Sequence, residues 1–359
     1  MELQLDALRR AGVAHSLLER RSADLSRSQA AFALLRGGRD EDDVESSTRE
    51  LRADVVHVHN MLPLPGPRGL EAARAAGASV LLHLHNLRLF CAIGVAARDG
   101  GPCFRCHHRN TLSGLALNCR ESLPEAAVYA VALARHQPAV FEAVDRFVVP
   151  SSYAAGQSAL LGVPADRLDV LPHYLPAEAF AERSGADRGS YALVASRLSP
   201  EKGIDAAVEA AAATGIPVRV AGEGPAAAEL AALAERIRAP VEFIGRLERA
   251  SVARELAGAA MLLMPSRYHE FAPYSALEAM AAGVPVLASC LGGLPEMLGA
   301  KRCVPPGDAA ALAERMTALW ESPELRRAEG DELIARARAG HGEEGYVSRL
   351  LELYRRSRQ

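Results

Sequence analysis

The chain has 359 residues, enough for two domains of ordinary size. Its 41 Lys and Arg face 44 Asp and Glu, a formal charge of −3, so no global basic field points to nucleic acid. No apolar run reaches the ~18–20 residues of a membrane span. The opening MELQLDALRRAG lacks a signal peptide's apolar core, and six scattered cysteines do not resemble a secreted disulfide scaffold. A cytoplasmic location is expected.

In chain order, ELQLDALRRAG is predicted as a helix running into a strand, AHSLLER. ADVVHVHN (residues 53–60) is predicted as a strand, residues 68–76 as a helix and ASVLLHLHN (78–86) as another strand. A long apolar helix is expected over about 124–144, a strand over DRFVVPS (145–151), and a last short strand in LDVLPH (168–173). Strands alternating with helices predict parallel sheets. Residues 1–173 therefore read as one α/β domain. The polar, Pro- and Gly-bearing stretch 174–190 reads as a linker.

Histidines gather at the ends of two of these strands: His57 with His59, and His83 with His85. Period-2 spacing puts each pair on one strand face. Histidines satisfied by backbone groups in a core are the ordinary reading for His57, His59 and His83, with acceptor contacts as the other.

Cys91, Cys103, Cys106 and Cys119 follow, with Cys103 and Cys106 in a C-x-x-C pair. The segment is broken by Gly94, Gly100, Gly101, Pro102 and Gly114, and a loop of this length inside a domain needs something to order it. Four thiolates can hold a structural zinc, and His107 or His108 could replace one of them. A redox pair and four unrelated thiols are the alternatives. Four protein ligands would leave no open position, so this metal would not be catalytic.

The second domain is expected over 191–340. YALVA (191–195) reads as a buried strand, followed by a loop and a helix from about Gly203. Arg197 and Lys202 stand at the two ends of that loop, where cations can clamp a diphosphate. The chain has only two lysines, Lys202 and Lys301, and 39 arginines, so a lysine kept here is more noteworthy than most surface cations. VRVAGEGPAAAEL and VEFIGRLERASVARELAGA repeat the strand–turn–helix order, and the second turn spans 245–247. A strand over 261–265 leads to Glu270, eight residues before Glu278. A helix is predicted over 274–282, ended by Gly283 with Pro285 beyond. Its first amides, at Tyr274 and Ser275, are free to hold an anion. Glu270 lies in the preceding loop and Glu278 one turn in. Three helices close the chain, over 309–320, 323–339 and about 343–356, the last carrying Tyr346, Leu350, Leu351 and Tyr354 as a stripe.

The stretch HEFAPYSALEAMAAGVP, with its Glu, seven residues, Glu and a following Gly-x-Pro, resembles the donor-binding signature of retaining glycosyltransferases of the GT-B fold, family 4. RLSPEKG resembles the same family's R-x-x-x-x-K-G stretch, and LHNLRLFC its acceptor-side H-N/D motif. The resemblance implies two Rossmann-like domains facing a cleft, the last segment (341–359) crossing back to the first. It implies that Glu270 contacts the donor sugar and Glu278 the ribose, that Arg197 and Lys202 bind the pyrophosphate, and that Gly245, Arg246 and Leu247 border the base. Pro273, Tyr274 and Ser275 would frame the anion site, and His85 would reach the reaction centre. DGGPCFRCHHRN resembles a cysteine-bearing insertion found in a subset of these enzymes, which implies a wall on the acceptor side. The expected activity is transfer of a sugar from a nucleotide-diphosphate sugar to a glycan, lipid-linked or small-molecule acceptor. The setting would be bacterial surface glycan synthesis, with peripheral membrane contact and no cofactor needed for the chemistry beyond structural zinc. An epimerase of the same fold and a non-catalytic donor-binding protein are the alternatives. The family's usual opening strand and glycine loop are not found ahead of the first helix, so the first sheet is expected to show an unpaired edge.

Overall fold

A computed structural model describes residues 2–358. They form two compact units. One comprises residues up to Ala96, Cys103–Leu171 and the chain from Tyr346 onward; the other comprises Ala97–Pro102 and Pro172–Gly345.

The strands, in chain order, are β1 (Val55–His59), β2 (Ser79–His83), the short antiparallel pair β3 (Ala97–Arg98) and β4 (Gly101–Pro102), β5 (Arg146–Val149) and β6 (Leu168–Val170). In the first unit β1-β2-β5-β6 form a parallel sheet in that order. The centre of this sheet is apolar and dry: Val80, Leu81, Phe147, Val148 and Val149 are all fully buried. Strands covered on both faces read as continuous apolar runs, which is how β5 was legible. The helix Leu123–Ala143 carries Pro138 in its interior. Proline cannot donate to the carbonyl four residues back, and Arg109 Nε supplies that bond instead, 3.1 Å from the Ala134 carbonyl oxygen.

The expected strand over AHSLLER is not found. Residues 13–21 are irregular, and Leu17 and Leu18 are 47% and 42% exposed. A segment becomes a strand only where a sheet edge accepts its amides and carbonyls, and residues 13–21 pair with no strand. Strand β1 stands at the end of its sheet.

The closing helix Glu343–Ser357 returns to the first unit. Tyr346 and Leu350 of the expected stripe are buried, and Leu353 joins them. Tyr346 Oη donates to Gln4 Oε1 at 3.1 Å.

The second unit holds β7 (Tyr191–Ala195), β8 (Val218–Ala221), β9 (Val241–Gly245), β10 (Ala259–Met264), β11 (Val286–Ser289) and β12 (Cys303–Val304). They form one parallel sheet in the order β12-β11-β10-β7-β8-β9. The chain leaves β7 in one direction through β8 and β9. It then returns to lay β10 on the other side of β7. In an open α/β sheet, the crevice outside the carboxyl ends at such a reversal is where ligands bind.

Residues 174–190, expected as a linker, are folded onto this unit. Tyr174 and Leu175 are buried, Ser184 Oγ donates to the Gly283 carbonyl at 2.5 Å, and Arg326 Nε donates to the Ala186 carbonyl at 2.8 Å. Polarity marked this stretch as loop, but Ser184 and the backbone at 186–187 bond to the body of the unit while Glu178, Glu182, Arg183 and Arg188 stay exposed. No helix among the described residues is long and apolar enough to cross a membrane.

Candidate functional site

The reversal lies between β7 and β10, and the loops leaving these two strands are bolted together. Gly203, with φ of +62°, sits so close to the loop after β10 that a Cβ there would lie 2.1 Å from the Pro265 carbonyl oxygen. Arg267 N donates to the Glu201 carbonyl at 2.8 Å. The Arg267 guanidinium takes both oxygens of Asp205, at 2.8 and 2.5 Å, the forked geometry that fixes orientation as well as charge.

Between these loops Lys202 meets Glu270. Lys202 Nζ donates to Glu270 Oε1 at 2.7 Å and to Tyr268 Oη at 3.0 Å. Ser266 Oγ donates to Glu270 Oε1 at 2.9 Å and Tyr268 Oη to Glu270 Oε2 at 2.6 Å. Glu270 is 5% exposed. A carboxylate this deep requires pairing and hydrogen bonds, and it has three donors. Burial, then the charge of Glu270, hold the Tyr268 hydroxyl protonated well above the ordinary tyrosine range. An ammonium has three N–H donors; two of those on Lys202 are spent inside the protein, and the third is left for an incoming oxygen. The backbone at Glu270 is pinned as well: Gly293 N donates to its carbonyl at 2.7 Å. Gly292, at φ of +66°, comes so near that a Cβ would lie 2.2 Å from that oxygen.

The helix Tyr274–Ala282 begins two residues after the buried Phe271 and Ala272. No side chain caps its start, and the Ala276 and Leu277 amides turn back to the Pro273 carbonyl. The Tyr274 and Ser275 amides are thus the first donors of a dipole that favours an anion. Tyr274 stacks on His173, with ring centroids 4.4 Å apart.

Glu278 sits one turn into that helix and accepts from Arg249 Nε at 3.2 Å. Burial raises its pKa; Arg249 opposes the shift. Arg249 opens the helix Arg249–Gly258 and was not singled out in the sequence, where it is one arginine of 39. Tyr268 and Ser266 were also missed. They precede Glu270 by two and four residues in the chain, but their roles need the loop's fold.

Arg197 follows β7 and pairs with Glu201. Its side chain is 63% exposed, against 18% for Lys202, so the two expected clamps differ. Lys202 is preorganised and Arg197 is able to swing. The Gly-Glu-Gly-Pro turn lies on the loop after β7, where Leu198 N donates to the Glu223 carbonyl at 2.9 Å. Gly245 ends β9 at φ of +71°. Arg246 beside it pairs with Glu223 at 3.0 Å on the surface, and Leu247 follows. The Arg197, Lys202, 245–247, Glu270 and Tyr274–Glu278 positions all lie at the carboxyl ends of the sheet or just beyond them.

In the first unit, the four strand-end histidines form a stacked ladder. The register sets His59 opposite His83. His83 and His85 rings are 4.3 Å apart, His59 and His85 5.0 Å, His57 and His59 4.7 Å. His59 Nδ1 and His85 Nε2 share a hydrogen bond of 2.7 Å. Burial pushes His57 down to about 3 and His85 down to about 4, so both are neutral near pH 7.

None of the cysteines Cys91, Cys103, Cys106 and Cys119 forms a disulfide, and all four are half-buried. Burial first, then its sulfur neighbours Cys91, Cys119 and Cys103, push the Cys106 thiol up to about 11. They are therefore neighbours, but among the described residues the group whose ligand atoms converge is His57, His59 and His83, not the thiols. Sequence spacing brings sulfurs into one region; it does not fix their Cβ directions. His107 and His108 lie edge to face, 5.6 Å apart.

Comparison with known proteins fits this geometry. Residues 177–333, which contain the whole donor-side cluster, match the family model described as glycosyl transferases group 1. This group 1 match leaves the first unit uncovered, but solved structures extend the likeness. The sucrose-phosphate synthase of Thermosynechococcus elongatus aligns with 99% of this chain and 91% of its own, with a TM-score of 0.72 at 18% identity. The Anabaena protein HepE, crystallised with UDP, aligns with 87% of this chain and 80% of its own, TM-score 0.65 at 17% identity. These likenesses establish the fold: two Rossmann-like sheets of the GT-B type. A relative at the sequence level is the MMP alpha-(1->4)-mannosyltransferase of Mycolicibacterium hassiacum, 30% identical over 196 residues, which are 51% of this chain and 47% of that one. The chain spans about half or less of the length of the curated relatives it matches best.

Proposed function

We propose that the chain is a retaining glycosyltransferase that moves a sugar from a nucleotide-diphosphate sugar to a glycan, lipid-linked or small-molecule acceptor. The observation that carries this reading is the Lys202–Glu270 pair at the sheet reversal, one loop away from an uncapped helix N-terminus, inside a segment that matches the group 1 family.

The chemistry follows from where charge grows. Breaking the bond between the sugar and the diphosphate places negative charge on the leaving phosphate. Lys202 has one uncommitted N–H, and the Tyr274 and Ser275 amides point at the same kind of group. Arg197 can leave Glu201 to add a fork. Fixed donors aimed at developing charge lower the barrier without reorganising during the step, so no metal is needed for this role. Glu270 holds Lys202 and Tyr268 in place and has one acceptor position left for a sugar hydroxyl. Glu278, with Arg249, is the ribose acceptor, and 245–247 borders the base. His85 is the acceptor-side residue, with neutral imidazole able to take or give a hydrogen bond. UDP bound to HepE, and the GDP-mannose dependence of a monoacylated phosphatidylinositol monomannoside mannosyltransferase of Corynebacterium glutamicum that is 34% identical over 148 residues, make UDP- and GDP-sugars the first donors to test. Action in the cytoplasm, at the membrane face where surface glycans are built, belongs to the same reading.

The test is a panel of sugar nucleotides screened for thermal stabilisation, then hydrolysis and transfer with the donor that stabilises most. Stabilisation follows the logarithm of ligand concentration over Kd. Release of free nucleotide with an anomerically retained product supports the proposal. Conversion of the sugar nucleotide into its epimer without acceptor, or binding with neither outcome, overturns it.

A further inference from the structure

Parallel pairing of β1 with β2 does more than align histidines in sequence. It places His57 and His59 on one strand face and His83 across from His59 in the same register. One imidazole nitrogen from each of the three lies within 4.8 Å of one from each of the others. We propose that His57, His59 and His83 form a binding site for a divalent transition-metal ion of the zinc type. The proposal concerns the first unit and does not depend on the donor chemistry of the second.

Three observations support it. The first is how the outer ring nitrogens are held. His57 Nδ1 lies 3.0 Å from Tyr354 Oη and 3.0 Å from the Gln4 side-chain amide; a ligating Nε2 needs the proton on Nδ1, which the Tyr354 oxygen can accept once the Gln4 amide turns its own oxygen toward the ring. That leaves Nε2, which is buried and has no hydrogen-bond partner in the protein. His59 Nδ1 is engaged with His85 Nε2 at 2.7 Å. Histidines that bind metals characteristically have the second nitrogen held in this way. The second observation is composition. The converging group is all imidazole, with no carboxylate, a donor set that suits zinc, copper or nickel rather than magnesium or calcium. The third is the tie between the two ends of the protein: Gln4 and Tyr354, from the first and last helices, both serve His57.

The rings require a modest adjustment. Two zinc-bound nitrogens at ~2.0–2.1 Å from the ion are about 3.3 Å apart in a tetrahedron. The rings are stacked within 9° to 27° of parallel, so their lone pairs must turn inward. That motion is about χ2, a broad and soft torsion for histidine. Three protein ligands leave a fourth position for water or another ligand. Binding through His59 Nε2 would put the His59 proton on Nδ1, where it donates to His85 Nε2. His85 would then carry its own proton on Nδ1. The ion would thus set the tautomer of the acceptor-side histidine.

The competing ligands are the thiols of the same unit, and the experiment separates the two. Reduced, metal-stripped full-length protein is titrated with Co2+ and, by calorimetry, with Zn2+. The proposal expects about one ion per chain and a cobalt spectrum without a thiolate-to-metal charge-transfer band. Affinity falls at least ~10-fold in His57→Gln and in His59→Gln, and is unchanged in the Cys103→Ser, Cys106→Ser double variant. Tyr354→Phe, which keeps the packing and removes the outer hydrogen bond, should also weaken binding by a factor on the order of 10 and serves if a histidine variant does not fold. No saturable binding, unchanged affinity in the histidine and Tyr354 variants, or a charge-transfer band that disappears with Cys103 and Cys106 overturns the site.

Discussion

Lys202 and Glu270 arrive from the two strands on either side of the sheet reversal and meet at 2.7 Å, although 68 residues separate them. The contact joins the loop after β7 to the loop after β10, so the cation proposed to serve a leaving group and the acid that holds it are one unit. Removing either partner leaves the other buried and unmatched, which is costlier than the pair itself is worth.

The Lys202 prediction has two parts. Lys202→Ala should lower transfer by at least ~2.7 kcal/mol of transition-state stabilisation, about 100-fold. It should also destabilise the fold by about 3–5 kcal/mol, because Glu270 is left uncompensated. Adding Glu270→Gln should recover most of the stability and none of the transfer. Denaturant midpoints and turnover, measured on the same samples, decide it; recovery of both would make the lysine structural only.

Glu278 and Glu270 should fail differently. Glu278→Ala is expected to weaken binding of the bare nucleotide, since its proposed partner is ribose. Glu270→Ala should spare the bare nucleotide and weaken the sugar donor. Calorimetry with nucleoside diphosphate and with sugar nucleotide reads both, and the reverse pattern would exchange the two roles.

Burial raises the Glu278 pKa above its ordinary value, and the sign of the consequence is fixed. The folded protein holds the proton more tightly than the unfolded chain, so the contribution to stability is fully present below the unfolded pKa. It is lost as pH rises through the folded one. Nucleotide affinity runs the other way, because ribose hydroxyls need the carboxylate as acceptor. Affinity should therefore decline on acidification earlier than an ordinary glutamate would cause. In Glu278→Gln that acid limb should be absent.

Gly292 and Gly215 have nearly the same positive φ, +66° and +70°, but different surroundings. Alanine at 215 meets open space, so only the left-handed backbone opposes it, about 1–2 kcal/mol. Alanine at 292 must also displace the Glu270 carbonyl. Gly292→Ala should be the more destabilising by over ~1 kcal/mol and should also impair the sugar donor. Equal midpoints for the two variants would show that the loop yields freely.

The legible parts of the fold were those whose ends carry chain chemistry. The strand Tyr191–Ala195 and the helix Tyr274–Ala282 were read to the residue because an apolar run and a terminal glycine bound them. AHSLLER has no such run or terminal glycine; a strand is a property of two segments, and its partner edge could not be read from one. Lys202 and Glu270 were visible as separate motif positions; that they pair, and that Tyr268 and Ser266 complete the set, depends on strand order. Arg249 carries no local signal among 39 arginines. The histidines showed their period of two, but the register that stacks them across β1 and β2 is long-range. The thiols show a strong spacing that brings Cys106 beside Cys91, Cys119 and Cys103, while the nitrogens that converge belong to the histidines.

The closing helix Glu343–Ser357 lends Tyr346, Leu350 and Leu353 to a unit whose other residues all precede Pro172. A chain emerging from the ribosome therefore holds an unfinished first unit while the whole of 172–345 is made. The second unit has every strand of its sheet by then and can fold while the other waits. Order of synthesis and order of completion are reversed in this protein. Until its final helix is released, the unit made first exposes the apolar surface that those three side chains cover, a period in which a chaperone would find it.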